Sequence, residues 1–164
     1  MNSLEETKYL IEKYNVRPNK NLGQNFLIDE ETLRFIANLA EKDDTIIEIG
    51  PGLGELTAKL LERAKKVIAI ELDPKMVAIL EDRFKLYDNI EIIQQDVLKI
   101  DFNLEKFKNA KIIANLPYYI TTEIITKLIK FDIKEINVLI QKEVADRICA
   151  NPRWKRSRSN YVFC

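Results

Sequence analysis

Polar residues follow four apolar runs of this sequence, at the point where each run gives way to a turn. In chain order they are Gly50, Gly52, Gly54, Glu71, Asp96 and Asn115. The glycines permit a tight turn and let the backbone approach a ligand closely. A carboxylate at Glu71 can accept both ribose hydroxyls and would repel a 2′-phosphate. Asp96 can accept a hydrogen bond from an adenine amino group, so together these residues indicate an adenosine pocket.

Each of these residues also has a simpler explanation when taken alone. The glycines suit an ordinary turn, Glu71 a solvated charge at a strand end, and Asp96 a helix or turn cap. The dinucleotide fingerprint requires its third glycine where this sequence has Glu55. The loop therefore fits a nucleoside better than the pyrophosphate of NAD. S-adenosylmethionine is the common cofactor that carries an adenosine and no phosphate.

The fourth turn contains the segment "NLPY", residues 115–118. Asn115 offers a side-chain carbonyl, Leu116 and Pro117 offer backbone carbonyls, and Pro117 turns the chain out of the sheet. Tyr118 offers a flat face for base stacking, worth about 1–3 kcal/mol. Two acceptors aimed at an exocyclic amine would direct its nitrogen lone pair at a methyl group. The alternative is a strand that ends in proline and is followed by core tyrosines, but the neighbouring adenosine pocket favours the catalytic interpretation.

The elements that would position these residues alternate along the chain. The pattern predicts a first helix to about Tyr14, a second over "DEETLRFIANLA", and then five strands: "TIIEIG", "KKVIAIELD", "NIEIIQQD", "KIIANLP" and "EINVLIQ". Helical segments separate most of them, and Asp73-Pro74 is typical of a helix start. This alternation predicts a doubly wound α/β domain with a mostly parallel sheet. Ligands of such sheets bind at the carboxyl ends of the strands.

Composition excludes several kinds of chemistry. The chain has 164 residues, 46% of them hydrophobic, and no histidine, which excludes Ser-His and Cys-His nucleophiles and the commonest zinc sites. Cys149 and Cys164 lack metal-ligand spacing, so we expect no metal and a reducing cytoplasm. No run of apolar residues is long enough to cross a membrane. Four cations lie in the tail, so residues 1–152 carry 22 basic against 26 acidic residues, and RNA would need local basic patches.

Six motifs together resemble one known family. "NLGQNFL", "EIGPGLGELT", "IELD", "QQDVL", "NLPYYIT" and "QKEVADRI", between about Asn21 and Pro152, are similar in order to the small-subunit ribosomal RNA adenine N6-dimethyltransferases. Loss of this family gives kasugamycin resistance in bacteria. The resemblance implies a Rossmann-like, S-adenosylmethionine-dependent methyltransferase. It also implies dimethylation of two adjacent adenosines near the 3′ end of 16S ribosomal RNA, in the pre-30S particle, during ribosome biogenesis.

The resemblance also implies roles for individual residues. Asn25, Leu27, Gly50, Glu71, Asp96 and Asn115 would contact the cofactor, and Asn115, Leu116, Pro117 and Tyr118 would hold the target adenine. We expect that adenine to be flipped out of its helix, stacked on Tyr118, and held through its N6 hydrogens by Asn115 and the Pro117 carbonyl. Macrolide-resistance methylases of large-subunit RNA more often carry isoleucine at position 116, so Leu116 favours the small subunit.

Three segments follow from this comparison: an N-terminal helix and loop (1–20), the catalytic domain (21–152) and an atypical basic tail (153–164). The family's further strands and helical domain have no counterpart in the tail. We therefore expect a monomer whose fifth strand lies at an exposed sheet edge, which is a site of possible association. Two alternatives of other classes remain: a ribosome-assembly or RNA-binding factor with weak catalysis, and an NAD-dependent oxidoreductase.

Overall fold

The computed structural model describes residues 3–17, 29–150 and 161–163. None of the described helices has the length and apolarity needed to cross a bilayer. Six helices and six strands are described: α1 Ser3–Lys13, α2 Glu30–Ala37, β1 Thr45–Ile49, α3 Glu55–Leu61, β2 Lys66–Glu71, α4 Pro74–Phe84, β3 Ile90–Gln94, β4 Lys111–Asn115, α5 Thr121–Leu128, β5 Glu135–Leu139, α6 Lys142–Ala150 and β6 Tyr161–Phe163.

The described strands form one sheet in the order β3-β2-β1-β4-β5-β6. All five pairings are parallel. The chain builds outward from β1 in one direction to β3 and then returns to place β4 on the other side of β1. This reversal makes the carboxyl ends of β1 and β4 the switch point, where such sheets bind ligands. The predicted doubly wound fold and its five strands are confirmed.

The prediction that β5 lies at an exposed edge is wrong. Tyr161–Phe163 pairs with β5 in parallel, with Ile136 opposite Tyr161 and Val138 opposite Phe163. A tyrosine, a valine and a phenylalanine in succession have high β propensity. This strand was not predicted because the three residues follow a basic run, which is typical of a solvated tail. Association through an open β5 edge therefore has no structural basis.

The core lies on both faces of the sheet. One face packs Ile47, Ile68, Ile112 and Val138 against α5 and α6 residues. The other face packs Ile46, Val67, Ile113 and Leu139 against residues of α2, α3 and α4. Burial on both faces explains why the strands read as nearly continuous apolar runs. Each fully buried aliphatic side chain contributes about 1.5–3 kcal/mol to the stability of the fold. The buried sheet therefore holds the turns at its edge in position.

The start of α4 fixes the end of β2. The Asp73 side chain caps the helix by accepting a hydrogen bond from the Lys75 N–H at 2.9 Å, and Pro74 occupies the first turn. Proline suits this position because its missing N–H would have no partner within the helix. The predicted helix start at Asp73-Pro74 is confirmed. The turn between Glu71 and α4 is consequently short and rigid.

Candidate active site

The carboxyl ends of β1 to β5 surround a cavity of about 540 Å³. This volume lies within the range of about 300–1,000 Å³ that is typical of small-molecule sites. Most of the site residues predicted from the sequence line it: Gly50, Gly52, Glu71, Asp96, Asn115, Leu116, Pro117 and Tyr118. The topology brings them together because parallel strands end at one edge of the sheet.

The turn after β1 lies against the turn after β4. Gly50 and Gly52 have φ values of 66° and 58°, in the left-handed region that favours glycine. A Cβ atom on Gly50 would come within 3.3 Å of the Pro117 Cγ atom. The two turns therefore lie close together in the cavity wall, and the lack of a Cβ atom at Gly50 permits this approach.

Gly54 is placed differently from the sequence prediction. It does not line the cavity. It precedes α3 with a φ of 85°, and a Cβ atom there would lie 2.7 Å from a ring carbon of Phe84 and 2.8 Å from a methyl group of Leu80. Gly54 thus permits close packing of this turn on α4. The sequence could not separate this role from a binding role because both require glycine.

Glu71 is buried at the end of β2 and holds the surrounding backbone. Its Oε1 accepts hydrogen bonds from the Leu72 and Asp73 N–H groups at 2.9 and 3.0 Å, and its Oε2 accepts from the Gly52 N–H at 3.1 Å. Burial raises its pKa, although these three hydrogen bonds act in the opposite direction. The alternative of a solvated strand-end charge is therefore wrong, and the carboxylate ties the glycine turn to β2.

Asp96 is both a cap and part of the cavity wall. Its Oδ1 accepts a hydrogen bond from the Leu98 N–H at 2.9 Å, which caps a short 3₁₀ turn over Val97–Lys99. The same residue lines the cavity. The two explanations given for Asp96 are compatible, because the cap fixes the carboxylate at the cavity edge.

Asn115 ends β4, and the chain leaves the sheet in the next two residues. The Leu116 N–H donates to the Leu139 carbonyl at 3.1 Å, which extends the pairing with β5 by one bond. The Pro117 carbonyl accepts from the Thr121 hydroxyl at 2.9 Å and from the Ile120 N–H at 3.3 Å. A carbonyl oxygen has two lone pairs, so these donors satisfy it. These bonds compete with the predicted role of the Pro117 carbonyl as an acceptor for the substrate amine, and that role stays a prediction.

Two tyrosines stand at the mouth of the cavity. Tyr118 and Tyr119 are 42% and 41% exposed, and their rings lie edge to face with centroids 6.3 Å apart. The alternative that these are core tyrosines is wrong. Tyr119, which the sequence analysis did not assign, also lines the cavity. Burial raises its pKa, with Asp96 and Glu71 adding to the effect, so its hydroxyl faces the acidic end of the cavity.

Two further carboxylates line the cavity and were not predicted as site residues. Glu48, inside β1, accepts a hydrogen bond from the Thr57 hydroxyl at 2.6 Å, and burial raises its pKa to about 8. Burial raises the pKa of Glu55, the first residue of α3, to about 7. An acidic residue inside the apolar run "TIIEIG" was the available signal for Glu48. In the sequence, Glu55 was notable only because it stands where the dinucleotide fingerprint has its third glycine.

Asn25 and Leu27, which the family resemblance assigns to the cofactor, lie outside the described residues. Their role remains a prediction. The described side of the cavity nearest to them in sequence is the first turn of α2, where Thr32 and Leu33 line the wall. Asp29 caps that helix by accepting a hydrogen bond from the Thr32 N–H at 2.9 Å.

The family model described as ribosomal RNA adenine dimethylase matches residues 15–163. The chain belongs to this family. Its sequence is 54% identical over 163 residues to the ribosomal RNA small subunit methyltransferase A of Clostridium botulinum strain Langeland, an alignment that covers 96% of this chain and 59% of the relative. The chain thus spans about three-fifths of that relative's length.

Two solved structures share the fold of this adenine dimethylase family member. The 23S rRNA methyltransferase ErmE is 30% identical with a TM-score of 0.68, over 74% of this chain and 50% of that one. A dimethyladenosine transferase from Plasmodium falciparum is 36% identical with a TM-score of 0.66, over 77% of this chain and 47% of that one. The predicted Rossmann-like methyltransferase fold is confirmed, and the family assignment argues against the oxidoreductase alternative.

Proposed function

We propose that this protein transfers methyl groups from S-adenosylmethionine to N6 of two adjacent adenosines near the 3′ end of small-subunit 16S ribosomal RNA. The product is N6,N6-dimethyladenosine. The observation that carries the proposal is that Asn115 and Tyr118 line the same cavity as Glu71 and Asp96. One cavity therefore combines groups suited to an adenosine cofactor with groups suited to an exocyclic amine.

The cavity's charge supports the choice of cofactor. Four carboxylates line it, namely Glu48, Glu55, Glu71 and Asp96, and its described lining contains no lysine or arginine. A phosphate-bearing ligand such as NAD would meet acidic groups and no cation of the described lining there, whereas a ligand with cationic groups is favoured. Bound S-adenosylmethionine would supply a methyl group that its sulfonium already activates. In this proposal Glu71 and Asp96 hold the adenosine, and Gly50 and Gly52 let the backbone approach it, which their shared position in the cavity wall supports.

The target amine would be held by Asn115 and by the peptide that follows it. The Asn115 side-chain carbonyl accepts one N6 hydrogen. Leu116 provides the second acceptor through its backbone carbonyl, because the Pro117 carbonyl is already satisfied by Thr121 and Ile120. The bond from the Leu116 N–H to the Leu139 carbonyl holds this peptide in place. With both hydrogens bound, the N6 lone pair has a single direction.

The rate would come mainly from this positioning. Asn115 is uncharged, so it orients the amine without removing a proton first. Holding two reacting groups in a productive geometry contributes about 7–11 kcal/mol in favourable cases. Tyr118, exposed at the cavity mouth, is available to stack on the flipped base. Stacking on this ring would fix the plane of the base, and the two acceptors would bind the N6 hydrogens in that plane.

Small-subunit RNA is favoured as the substrate by Leu116 and by the name of the 54% identical clostridial relative. The proposal includes action in the cytoplasm on a pre-30S particle, as a monomer with no metal. Cys149, which is exposed and free within the described part of the chain, is compatible with a reducing compartment. The likeness to ErmE supports large-subunit RNA as the competing substrate.

The proposal is tested by methyl transfer to ribosomal particles. The purified chain and isotopically labelled S-adenosylmethionine are incubated with small subunits that lack the modification, with fully modified small subunits, and with large subunits. Nucleosides from the digested RNA are then identified by mass spectrometry. We expect isotopically labelled N6,N6-dimethyladenosine only in the RNA of the small subunits that lacked the modification. Label in large-subunit RNA would favour the competing substrate, and absence of label from all three would contradict the proposed activity.

A further inference from the structure

Glu55 has a buried oxygen with no hydrogen-bond partner among the described residues. The residue follows the glycine turn directly, is 8% exposed and lines the cavity. Its Oε1 receives no hydrogen bond from the part of the chain that the structure describes. A buried polar atom without a partner is costly, and more so when it is charged. Such an atom in a cavity wall indicates that a ligand group completes its bonding.

The nearest basic side chains do not fill that role. Arg83 donates to Glu6 and to the Leu53 carbonyl. Lys59 forms an ion pair with Glu30 at 2.8 Å, which joins α3 to α2. Both cations are therefore engaged with other acceptors. Among the described residues no donor reaches this oxygen, and a ligand in the cavity would supply one.

The position of Glu55 identifies the part of the ligand it faces. Glu71 ends β2 and Asp96 follows β3, and both strands lie on one side of β1. Asn115 ends β4, which lies on the other side of β1. Glu55 lies on the wall built by α2 and α3, together with Thr32. A methyl donor with its adenosine at Glu71 and its methyl group at Asn115 has one substituent left on sulfur. That substituent is the amino-acid arm, and the α2–α3 wall is where space remains for it.

We propose that the Glu55 carboxylate binds the primary ammonium group of this amino-acid arm, an inference that rests on the proposed function. Glu55 is then a cofactor-binding residue that selects ligands with a free amine. Glu48, the other acidic residue near β1, already accepts a hydrogen bond from Thr57. The unpartnered oxygen of Glu55 is therefore the better acceptor for an ammonium group.

Binding through Glu55 is expected to depend on pH. The charges that face it are Glu6 from α1, Glu30 from α2, Lys59 from α3 and Arg83 from α4. Burial raises the pKa of Glu55 to about 7, with Glu6 and Glu30 raising it further while Arg83 and Lys59 lower it. Only the ionised carboxylate attracts an ammonium group strongly, so affinity should fall as the pH drops through this value.

Calorimetric titration with two nucleosides tests the inference. S-adenosylhomocysteine carries the amino-acid arm, and 5′-methylthioadenosine lacks it. We expect Glu55→Gln to lower the affinity for S-adenosylhomocysteine by roughly tenfold or more, which is the scale of one charge-assisted hydrogen bond. Binding of 5′-methylthioadenosine should stay unchanged. Glu62→Gln, an exposed glutamate just after the same helix, is the matched control and should change neither affinity.

A pH series separates binding from a structural role. Between about pH 8 and about pH 6 the wild-type affinity for S-adenosylhomocysteine should fall by about tenfold, as one linked proton requires. Glu48, whose pKa is raised to about 8, lines the same cavity, so the pH response of 5′-methylthioadenosine affinity serves as the reference. The fall in S-adenosylhomocysteine affinity should exceed that reference in the wild type and should equal it in Glu55→Gln. Equal weakening of both nucleosides by Glu55→Gln would overturn the inference, as would no weakening of either. Failure of the wild-type chain to bind either nucleoside would instead contradict the proposed function.

Discussion

The hydroxyl of Thr121 donates a hydrogen bond of 2.9 Å to the carbonyl of Pro117, four residues earlier. Thr121 is buried at the start of α5, and Pro117 lies in the cavity wall. The bond therefore couples the first turn of a helix to the segment that would hold the target base. It also occupies one lone pair of the Pro117 carbonyl, so a substrate amine would compete with Thr121 for this acceptor.

Thr121→Val should loosen this turn without touching the cofactor. Valine has the shape of threonine but lacks the hydroxyl, so we expect a loss of about 1 kcal/mol in the free energy of unfolding. Methyl transfer should slow by several-fold while S-adenosylhomocysteine affinity is retained. Thr126→Val is the matched control, because the Thr126 hydroxyl makes the same kind of bond to the Thr122 carbonyl on the exposed face of α5. A slower rate in both variants would show that the effect is not specific to the turn.

Asn115→Ala should separate binding from turnover. Removal of the side-chain carbonyl leaves one N6 hydrogen unbound, and loss of orientation in such a site costs roughly 100-fold in rate. Cofactor affinity should remain largely intact. Titration with S-adenosylhomocysteine and single-turnover methyl transfer measure the two effects. Equal loss of both would mean that Asn115 has a structural role, and Asn103→Ala in an exposed turn serves as the control.

Tyr118→Ala should weaken binding of the RNA substrate and leave binding of the cofactor unchanged. Stacking of a base on an aromatic ring contributes about 1–3 kcal/mol, so we expect the KM for the ribosomal substrate to rise by about tenfold or more. Tyr118→Phe keeps the ring and should behave like the wild type. An equally large defect in the phenylalanine variant would show that the hydroxyl is needed, and stacking alone would then be insufficient.

Gly54→Ala should lower stability through packing. The added Cβ atom would lie 2.7 Å from a ring carbon of Phe84, and the φ of 85° is unfavourable for alanine. Overpacking of this kind costs about 1–3 kcal/mol. Gly50→Ala is the useful comparison, since it also has a positive φ but its nearest contact is 3.3 Å, to Pro117. Chemical denaturation should show the larger loss for Gly54→Ala, and the reverse order would contradict the packing explanation.

Glu48→Gln should make the ligand-free protein more stable at high pH. Burial raises the Glu48 pKa from 4.5 to about 8 in the folded state. The folded state therefore holds this proton more tightly than the unfolded state, and stability falls as the pH rises from about 4.5 to about 8. The gain in melting temperature from Glu48→Gln should be larger at about pH 9 than at about pH 6. A gain that is independent of pH would rule out titration of Glu48 as the cause.

Several features of the site depended on distant parts of the chain. Two of them are contacts between segments far apart in the sequence: Gly54 packs on Phe84, and Tyr161–Phe163 pairs with β5. A third is the burial of a Glu55 oxygen that has no hydrogen-bond partner among the described residues. Glycine, aromatic and acidic residues each have several compatible roles. Local preference cannot choose among those roles, because the choice depends on what packs against the residue.

The sequence by itself determined the alternating strands and helices and the placement of Gly50, Glu71, Asp96 and Asn115 at the strand ends. It could do so because apolar runs identify strands, and parallel strands bring their carboxyl ends to one edge of the sheet. The bond from Thr121 to the Pro117 carbonyl, and the Glu55 oxygen without a partner among the described residues, became evident only from the folded chain. Hydrogen bonds and burial depend on the positions of atoms in three dimensions, and residue order does not specify them.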